Sequence, residues 1–598
     1  MNTRRQFLIT AAIGGFAVAS CQREQPSTGS TAPTTPGAPP AFGTAAEVGP
    51  VVTAATFAEA EKLAQITMTT AERDLAVANW RRLMAMLVER RVGPRKLALE
   101  PELAPATQWD PRITAASTGP SADKFVRSET NAAMPTSDAD IAFAPVAKLS
   151  RWIEKKALSS ERLTNIYLNR IAQYDGKLRS VITLTKETAL ARAKQADAEI
   201  AAGKYRGPLH GIPYGVKDLL DTAGIATTYG AEPFRNRVPS TDSVVVRRLN
   251  EAGAVMIAKL SLGALALNDI WFGGQTMNPW LLEEGASGSS CGPGAAMAAG
   301  LVGFSIGSET GGSIVSPTMR CGITGLRPTY GRVPRTGAMT LCWSLDKLGP
   351  MTRSVEDAML VLNAITGPDP GDLASVPSHL DFDAAASING LRVGYFPAWM
   401  KESPATDVDR AALDTLTRLG AQATAVSLPE WPYSSLMPVL FAEAAAAFED
   451  ITLNGAINSL KVQVPDAWPN LFRQARFLSA VDFVQADRFR RRVAQEMARI
   501  FSEVDVLLVP SLRDETLTIS NFTGHPSLTL RTGSVEVSEA RSDWAPDPNN
   551  PLPKFSPPRR VPHGVTLIGR LFDEGTIARA GLALERASGV ADERPSGF

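Results

Sequence analysis

"LVGFSIGSETGGSIVSP", residues 301–317, changes character in its middle: an apolar run ends at Ile306, and Ser308, Thr310, Ser313 and Ser316 then alternate with Gly307, Gly311 and Gly312. Leu301–Ile306 reads as a buried strand, and the end of such a strand is where α/β enzymes tend to build their sites. Two glycines ahead of Ser313 let successive backbone N–H groups turn into one concavity, because glycine reaches dihedrals closed to other residues. Such a nest suits an oxyanion. Standing alone, the same letters also fit a Gly-rich turn with a solvated serine.

Working outward, "GPGAAMAAG" (292–300) has the small residues of a tightly packed helix. Further upstream, Leu163, Ile166, Tyr167, Ile171 and Tyr174 mark one helical face with Ser159 or Ser160 as N-cap, and "SVITLT" (180–185) reads as a strand. A helix follows from Glu187 to Ala202, stopped by Gly203; Ile212–Val216 is extended, "SVVVRRLNEAG" (243–253) helical and "AVMIA" (254–258) a buried strand. Downstream, "LRVGYF" (391–396), a capped helix from Thr406 to Leu419, "VLLVP" (506–510) and "VTLIG" (565–569) continue the alternation. The pattern predicts an α/β fold, a sheet core flanked by helices, as one catalytic-size domain over residues 143–590.

The N-terminal part has a different composition. Apolar Leu63, Ile66, Leu75, Val77, Trp80, Leu83 and Leu87 recur at helical spacing between Thr56 and Arg91, which predicts one or two amphipathic helices in an N-terminal helical extension over 51–142. Residues 92–140 show no periodicity and carry no structural expectation. Residues 22–50, rich in Pro, Thr, Ser, Gly and Ala, have little to bury and read as a flexible tether. In "MNTRRQFLITAAIGGFAVASCQ", the pair Arg4-Arg5 followed by Phe7, Leu8 and a short apolar run has the layout of a twin-arginine export signal, too short to span a bilayer. Val18-Ala19-Ser20-Cys21 resembles a bacterial lipobox with Cys21 as the lipidated residue; cleavage after Ala19 is the competing reading. Both predict an exported protein, periplasmic or held at a membrane by a lipid on Cys21.

Lys and Arg number 61 and Asp and Glu 61, a net charge of zero that gives no field for nucleic acid. Hydrophobic residues make up 44%, enough for a large core. Four cysteines, one of them Cys21, leave an odd three and no disulfide framework. No HExxH, paired CxxC or GxxxxGK[ST] pattern occurs, so neither a metal nor a nucleotide cofactor is expected.

The opening loop has companions. "GASGSSCGPG" (285–294) is a second small-residue loop, and "HGIPYGVKDLL" (210–220) places Lys217 just after an apolar strand. With "SLDKLGPMTRSVEDA" (344–358), "FTGHPSLTL" (522–530) and "GVTLIGRLFDEGTI" (564–577), these segments resemble, in order, the amidase signature family of serine hydrolases. The resemblance implies a mixed β-sheet core, Ser313 as nucleophile, Ser289 as a bridging serine with a cis peptide bond, and Lys217 as base, with Ser290 orienting the lysine. It also implies an oxyanion hole from the N–H groups of Thr310, Gly311, Gly312 and Ser313. The chemistry is coherent, since a serine needs a base within reach and a lysine serves only when burial makes it neutral. Cys291 and Pro293 depart from the family pattern, so the loop after Ser290 is expected to bend differently. Val315 stands where many relatives have arginine and Glu309 where they have aspartate, so the ion pair there is expected to be lost.

Two other readings stay open. Gly288-Ser289-Ser290-Cys291-Gly292 formally matches G-x-S-x-G, which would make Ser290 an esterase nucleophile with His379, His525 or His563. That elbow needs a preceding strand, and "NPWLLEEGAS" (278–287), with its proline and paired glutamates, is not expected to form one. Within the family, a glutaminase of the aminoacyl-tRNA amidotransferase kind would need tRNA and partner subunits. The export signal and neutral charge favour a free-standing amidase acting on a small-molecule amide, alone or as a homodimer. Trp431, Trp468, Phe472, Phe477 and Phe483 are expected in pocket walls or in the core.

Overall fold

The computed structural model describes residues 46–598 apart from 86–87, 89–91, 94–106, 108, 115–117 and 545–546. The export signal, Cys21 and most of the 22–50 tether therefore lie outside the described residues. The chain divides into two compact units, Met1–Glu100 and Pro101–Phe598.

In the first unit, helices occupy Ala54–Ala64 and Thr70–Leu83, where the amphipathic spacing predicts them. Each starts on a threonine, Thr53 or Thr69, whose side chain accepts the N–H three residues on while that residue's side chain bonds back to the cap. Arg73 donates to Glu61 at 2.6 and 2.8 Å, and the Phe57 and Trp80 rings meet edge to face at 5.5 Å. This ion pair and this aromatic contact fasten the two helices together.

The second unit is built on a mixed sheet. Among the described residues it has eleven strands: β1 (Val181–Leu184), β2 (Pro213–Lys217), β3 (Val255–Leu260), β4 (Phe304–Glu309), β5 (Thr324–Arg327), β6 (Lys347–Thr352), β7 (Arg392–Tyr395), β8 (Gln422–Ala425), β9 (Val506–Pro510), β10 (Ser527–Glu539) and β11 (Lys554–Gly569). Their order is β8-β7-β9-β11-β10-β5-β6-β4-β2-β3-β1. β2 lies parallel to both β3 and β4, and every residue of these three strands is buried, as expected for strands covered on both faces. Tyr214 of β2 stacks on Phe304 of β4 at 5.0 Å. Helices Ser160–Leu178 and Lys186–Ala201 pack on each other and over this part of the sheet, while Val355–Ile365 and Glu574–Ser588 pair near β10. Ser159, of the two serines left open, is the N-cap and accepts from Arg162 N at 3.1 Å.

Two elements differ from the sequence reading. The strand assigned to Leu301–Ile306 runs instead over Phe304–Glu309, because pairing with β6 continues through Leu348↔Ser308 and Lys347↔Glu309. Ser308 is therefore a sheet residue and not a loop residue. Leu281–Gly285 does form a short strand, paired with Met277–Asn278 outside the large sheet. Pro279 sits in the turn between the two, and Glu284 tolerates burial because Arg541 and Asn278 donate to it.

Candidate active site

β2 and β4 are neighbours, so Lys217 at the end of one comes close to Ser308 near the end of the other. Lys217 is wholly buried, and its Nζ donates to Ser289 Oγ at 2.8 Å, Ser308 Oγ at 2.9 Å and Ser290 Oγ at 3.0 Å. Asp218, its neighbour in sequence, pairs instead with the buried Lys259 at 3.3 Å. With no carboxylate in contact, burial pulls the Lys217 ammonium down to about 7, against weaker opposing pulls from Cys291, Asp346 and Glu309. Near neutral pH, a large share of this side chain is an amine with a free lone pair. Such a group can take a proton from a serine.

Ser289 and Ser290 reach it from one loop and Ser308 from β4, while Ser313 lies on a second loop, and both loops depend on glycine. The Gly288–Ser289 peptide is cis, as the resemblance implies, and a Cβ on Gly288 would lie 1.6 Å from Asn268 O. Gly312 holds φ +122°, outside the range of ordinary side chains. The loops meet where Ser290 N donates to Ser313 O at 3.2 Å. Ser290 Oγ also bonds to both backbone groups of Ser308, donating to O at 3.1 Å and accepting from N at 3.2 Å. Ser313 is half-buried, and its Oγ is not hydrogen-bonded to Ser289 Oγ. Beside it, the N–H groups of Gly311, Gly312 and Ser313 donate to no acceptor among the described residues, which leaves them free for an anion.

The expected loss of an ion pair at Glu309 is corrected by the structure. Val315 contributes none, but Glu309 pairs with the buried Arg327 at 2.6 Å and accepts from Ile314 N, Val315 N and Asn521 at 2.7–2.9 Å. Burial pushes its carboxyl up, yet Arg327 and the N–H donors outweigh this and hold it below the ordinary range. The carboxylate thus bridges the ends of the Thr310–Ser313 loop. After Ser290 the backbone goes straight into the helix Cys291–Ala298, with Cys291 and Pro293 buried in its first turn.

Three contributing residues escaped the sequence reading. Ser308 is one of the three hydroxyls at Lys217. Asp346 accepts from Thr310 Oγ1 at 2.6 Å and from the N–H groups of Leu341 and Cys342, fixing the start of the Thr310–Ser313 loop. Asp543 accepts from Ser287 Oγ at 2.7 Å and Gly288 N at 2.8 Å, holding the loop that carries Ser289. Ser308 and Thr310 form one wall of a cleft of ≈ 260 Å³, whose other walls come from residues 335–348 and 370–373 with Leu219 and Ala266.

The other candidates lie elsewhere. His210 bonds to Arg206 N, His379 to Asp123, His525 to Thr523 and His563 to Asp409, so no histidine is bonded to Ser290, which is itself buried. Trp468 and Phe472 are buried, Trp431 and Phe483 pack against the core, and Phe477 is exposed; none of the five lines the cleft. Cys291, Cys321 and Cys342 are buried free thiols. Among the described residues no group of three metal-ligating side chains comes together, and no helix is long and apolar enough to cross a membrane.

Comparison with known proteins identifies the chain's relatives. A family model described as Amidase matches residues 162–577. The chain is 35% identical to a Glutamyl-tRNA(Gln) amidotransferase subunit from Moorella thermoacetica, over 75% of this chain and 97% of that one. It is 32% identical to the subunit of the same name from Geobacillus thermodenitrificans, over 75% and 98%. Among solved structures, the native peptide amidase from Stenotrophomonas maltophilia superposes with a TM-score of 0.64 at 29% identity, over 76% of this chain and 98% of that one.

Proposed function

Because the chain belongs to the amidase family and is therefore an enzyme acting on carbon–nitrogen bonds, we propose that it hydrolyses a carboxamide with Ser313 as nucleophile, Ser289 as proton relay and Lys217 as base. As Ser313 Oγ attacks the amide carbon, its proton passes to Ser289 Oγ, whose own proton passes to the neutral Lys217 amine. The negative charge that develops on the amide oxygen meets the N–H groups of Thr310, Gly311, Gly312 and Ser313, each such donor contributing about 3–4 kcal/mol in comparable sites. Collapse of the intermediate breaks the C–N bond, and the lysinium returns its proton through Ser289 to the departing amine. Water then repeats the sequence on the acyl-enzyme ester and restores Ser313. The observation that carries this reading is the 2.8 Å contact between Lys217 Nζ and Ser289 Oγ in a site dry enough to bring the amine to about 7.

A second reading, glutamine hydrolysis of the amidotransferase kind, is favoured by the names of the sequence relatives. The zero net charge supports a free-standing enzyme instead. Both readings place the same residues at the reacting bond.

Reaction with a fluorophosphonate, followed by peptide mapping, tests the assignment. The expected result is one adduct per chain on the peptide carrying Ser313. An adduct on Ser290 would overturn the reading in favour of the serine esterase elbow.

A further inference from the structure

Resting on that reading, we propose that the cleft beside Ser308 and Thr310 selects an uncharged, largely apolar carboxamide and rejects amides that carry a carboxylate, because Asp372 already occupies the guanidinium that faces it. Three charged residues, Arg335, Asp346 and Asp372, line this cleft. Arg335 donates from Nε to Asp372 Oδ2 and from Nη2 to Oδ1, both at 2.9 Å, and from Nη1 to Trp343 O at 2.6 Å. The Arg335 backbone N–H adds a further bond to the same carboxylate at 2.9 Å, and Tyr330 lies under the guanidinium plane at 4.9 Å. Every nitrogen of the fork is thereby engaged, in the bidentate geometry that a substrate carboxylate would otherwise take.

Asp346 is similarly occupied. One of its oxygens accepts from Thr310 Oγ1 and the other from the N–H groups of Leu341 and Cys342. The remaining wall is mostly apolar, with Leu219, Met339, Leu341 and Leu348 inside and Leu373 at the mouth, 76% exposed. That leucine sits on a loop tied down by Thr336 Oγ1 to Asp369 at 2.6 Å and Asp369 N to Ser375 Oγ at 2.9 Å. An exposed leucine on a fastened loop offers apolar cover to whatever enters. A carboxylate entering here would lose water, find no unengaged cation and face the charge of Asp372. Glutamine carries such a carboxylate.

The test is kcat/KM of the full chain for four five-carbon amides: pentanamide, glutaramate, 5-aminopentanamide and glutamine. Each is also scored as a protectant of Ser313 against the fluorophosphonate, so that binding is read where turnover is slow. The expected result is a preference for pentanamide over glutaramate and glutamine of about 100-fold, the scale of leaving a charge unpaired in a closed site. Asp372→Asn, which removes the negative charge paired with Arg335 and one of its two acceptor oxygens, is expected to raise the glutaramate-to-pentanamide ratio about tenfold. Glutaramate or glutamine equalling pentanamide in both turnover and protection would overturn the proposal, as would a preference for 5-aminopentanamide, which would make Asp346 an anchor for cations. Failure of Ser313 to react at all would overturn the amidase reading itself, and the two failures are thus distinct. The wild-type panel decides the matter even if Asp372→Asn does not fold.

Discussion

Ser313→Ala is expected to lower kcat/KM by about four to six orders of magnitude while leaving the protein folded, the largest effect of any single change at the site. The attacking oxygen is removed, and no neighbouring hydroxyl can substitute. Ser289 and Ser290 are buried and bonded to Lys217, whereas Ser313 is half-exposed, three residues beyond Thr310 of the cleft wall. What survives should be the contribution of the oxyanion donors and of substrate binding, because the N–H groups of residues 310–313 do not depend on the lost hydroxyl. The loss should therefore fall on kcat and leave KM nearly in place. Stability should change by less than about 0.5 kcal/mol, since alanine leaves no buried group without its partner. Steady-state kinetics and a thermal melt on the same preparation check both halves.

Lys217→Met is expected to be nearly as inactive, and to be no less stable than the wild type. The two losses should not add: once the base is gone the nucleophile is unactivated, so the double variant should resemble either single one. The stability expectation follows from opposing magnitudes. Bringing the ammonium from its ordinary 10.5 to about 7 costs the folded state roughly 4–5 kcal/mol at neutral pH. Against this stand three hydrogen bonds to serines, each contributing about 1 kcal/mol net. Because the folded-state value lies below the unfolded one, folding expels a proton, and the penalty is largest below pH 7 and fades as pH rises toward 10.5. Methionine fills a similar volume and carries no charge, so the gain in melting temperature should be greatest in mildly acidic buffer. A variant that is inactive because it is unfolded would contradict this.

Much of the fold and part of the site are legible in the amino-acid sequence. "VLLVP" is a strand from end to end, and "SVVVRRLNEAG" contains the helix Val244–Glu251, because continuous apolar runs and helical periodicity are local signals. Lys217, Ser289 and Ser313 were visible only through the order of the family's segments; a buried lysine and a serine turn look ordinary in isolation. What stayed hidden depends on long-range register. Ser308 reaches Lys217 only because β4 lies beside β2, and Asp543 reaches Ser287 across a separation of 256 residues. The expected loss of an ion pair at Glu309 failed for a related reason. Its partner is Arg327, 18 residues on and on another strand, and not position 315. The strand at Leu281–Gly285 was missed because Glu284 looked unburiable until Arg541 came to it.

The central claim is that a neutral Lys217, and no histidine, is the base. The most direct measurement is the pH dependence of kcat/KM for pentanamide between about pH 5 and about pH 9, in the wild type and in His210→Ala. His210, the histidine nearest Lys217 in sequence, lies beside Glu199, and burial pulls its own proton affinity down. Since the free enzyme must present Lys217 deprotonated, the rate should fall about tenfold per pH unit on the acid side, bend near 7 and level off above it. The same limb in His210→Ala is the predicted result; a flat profile, or a limb that vanishes with His210, would contradict the account.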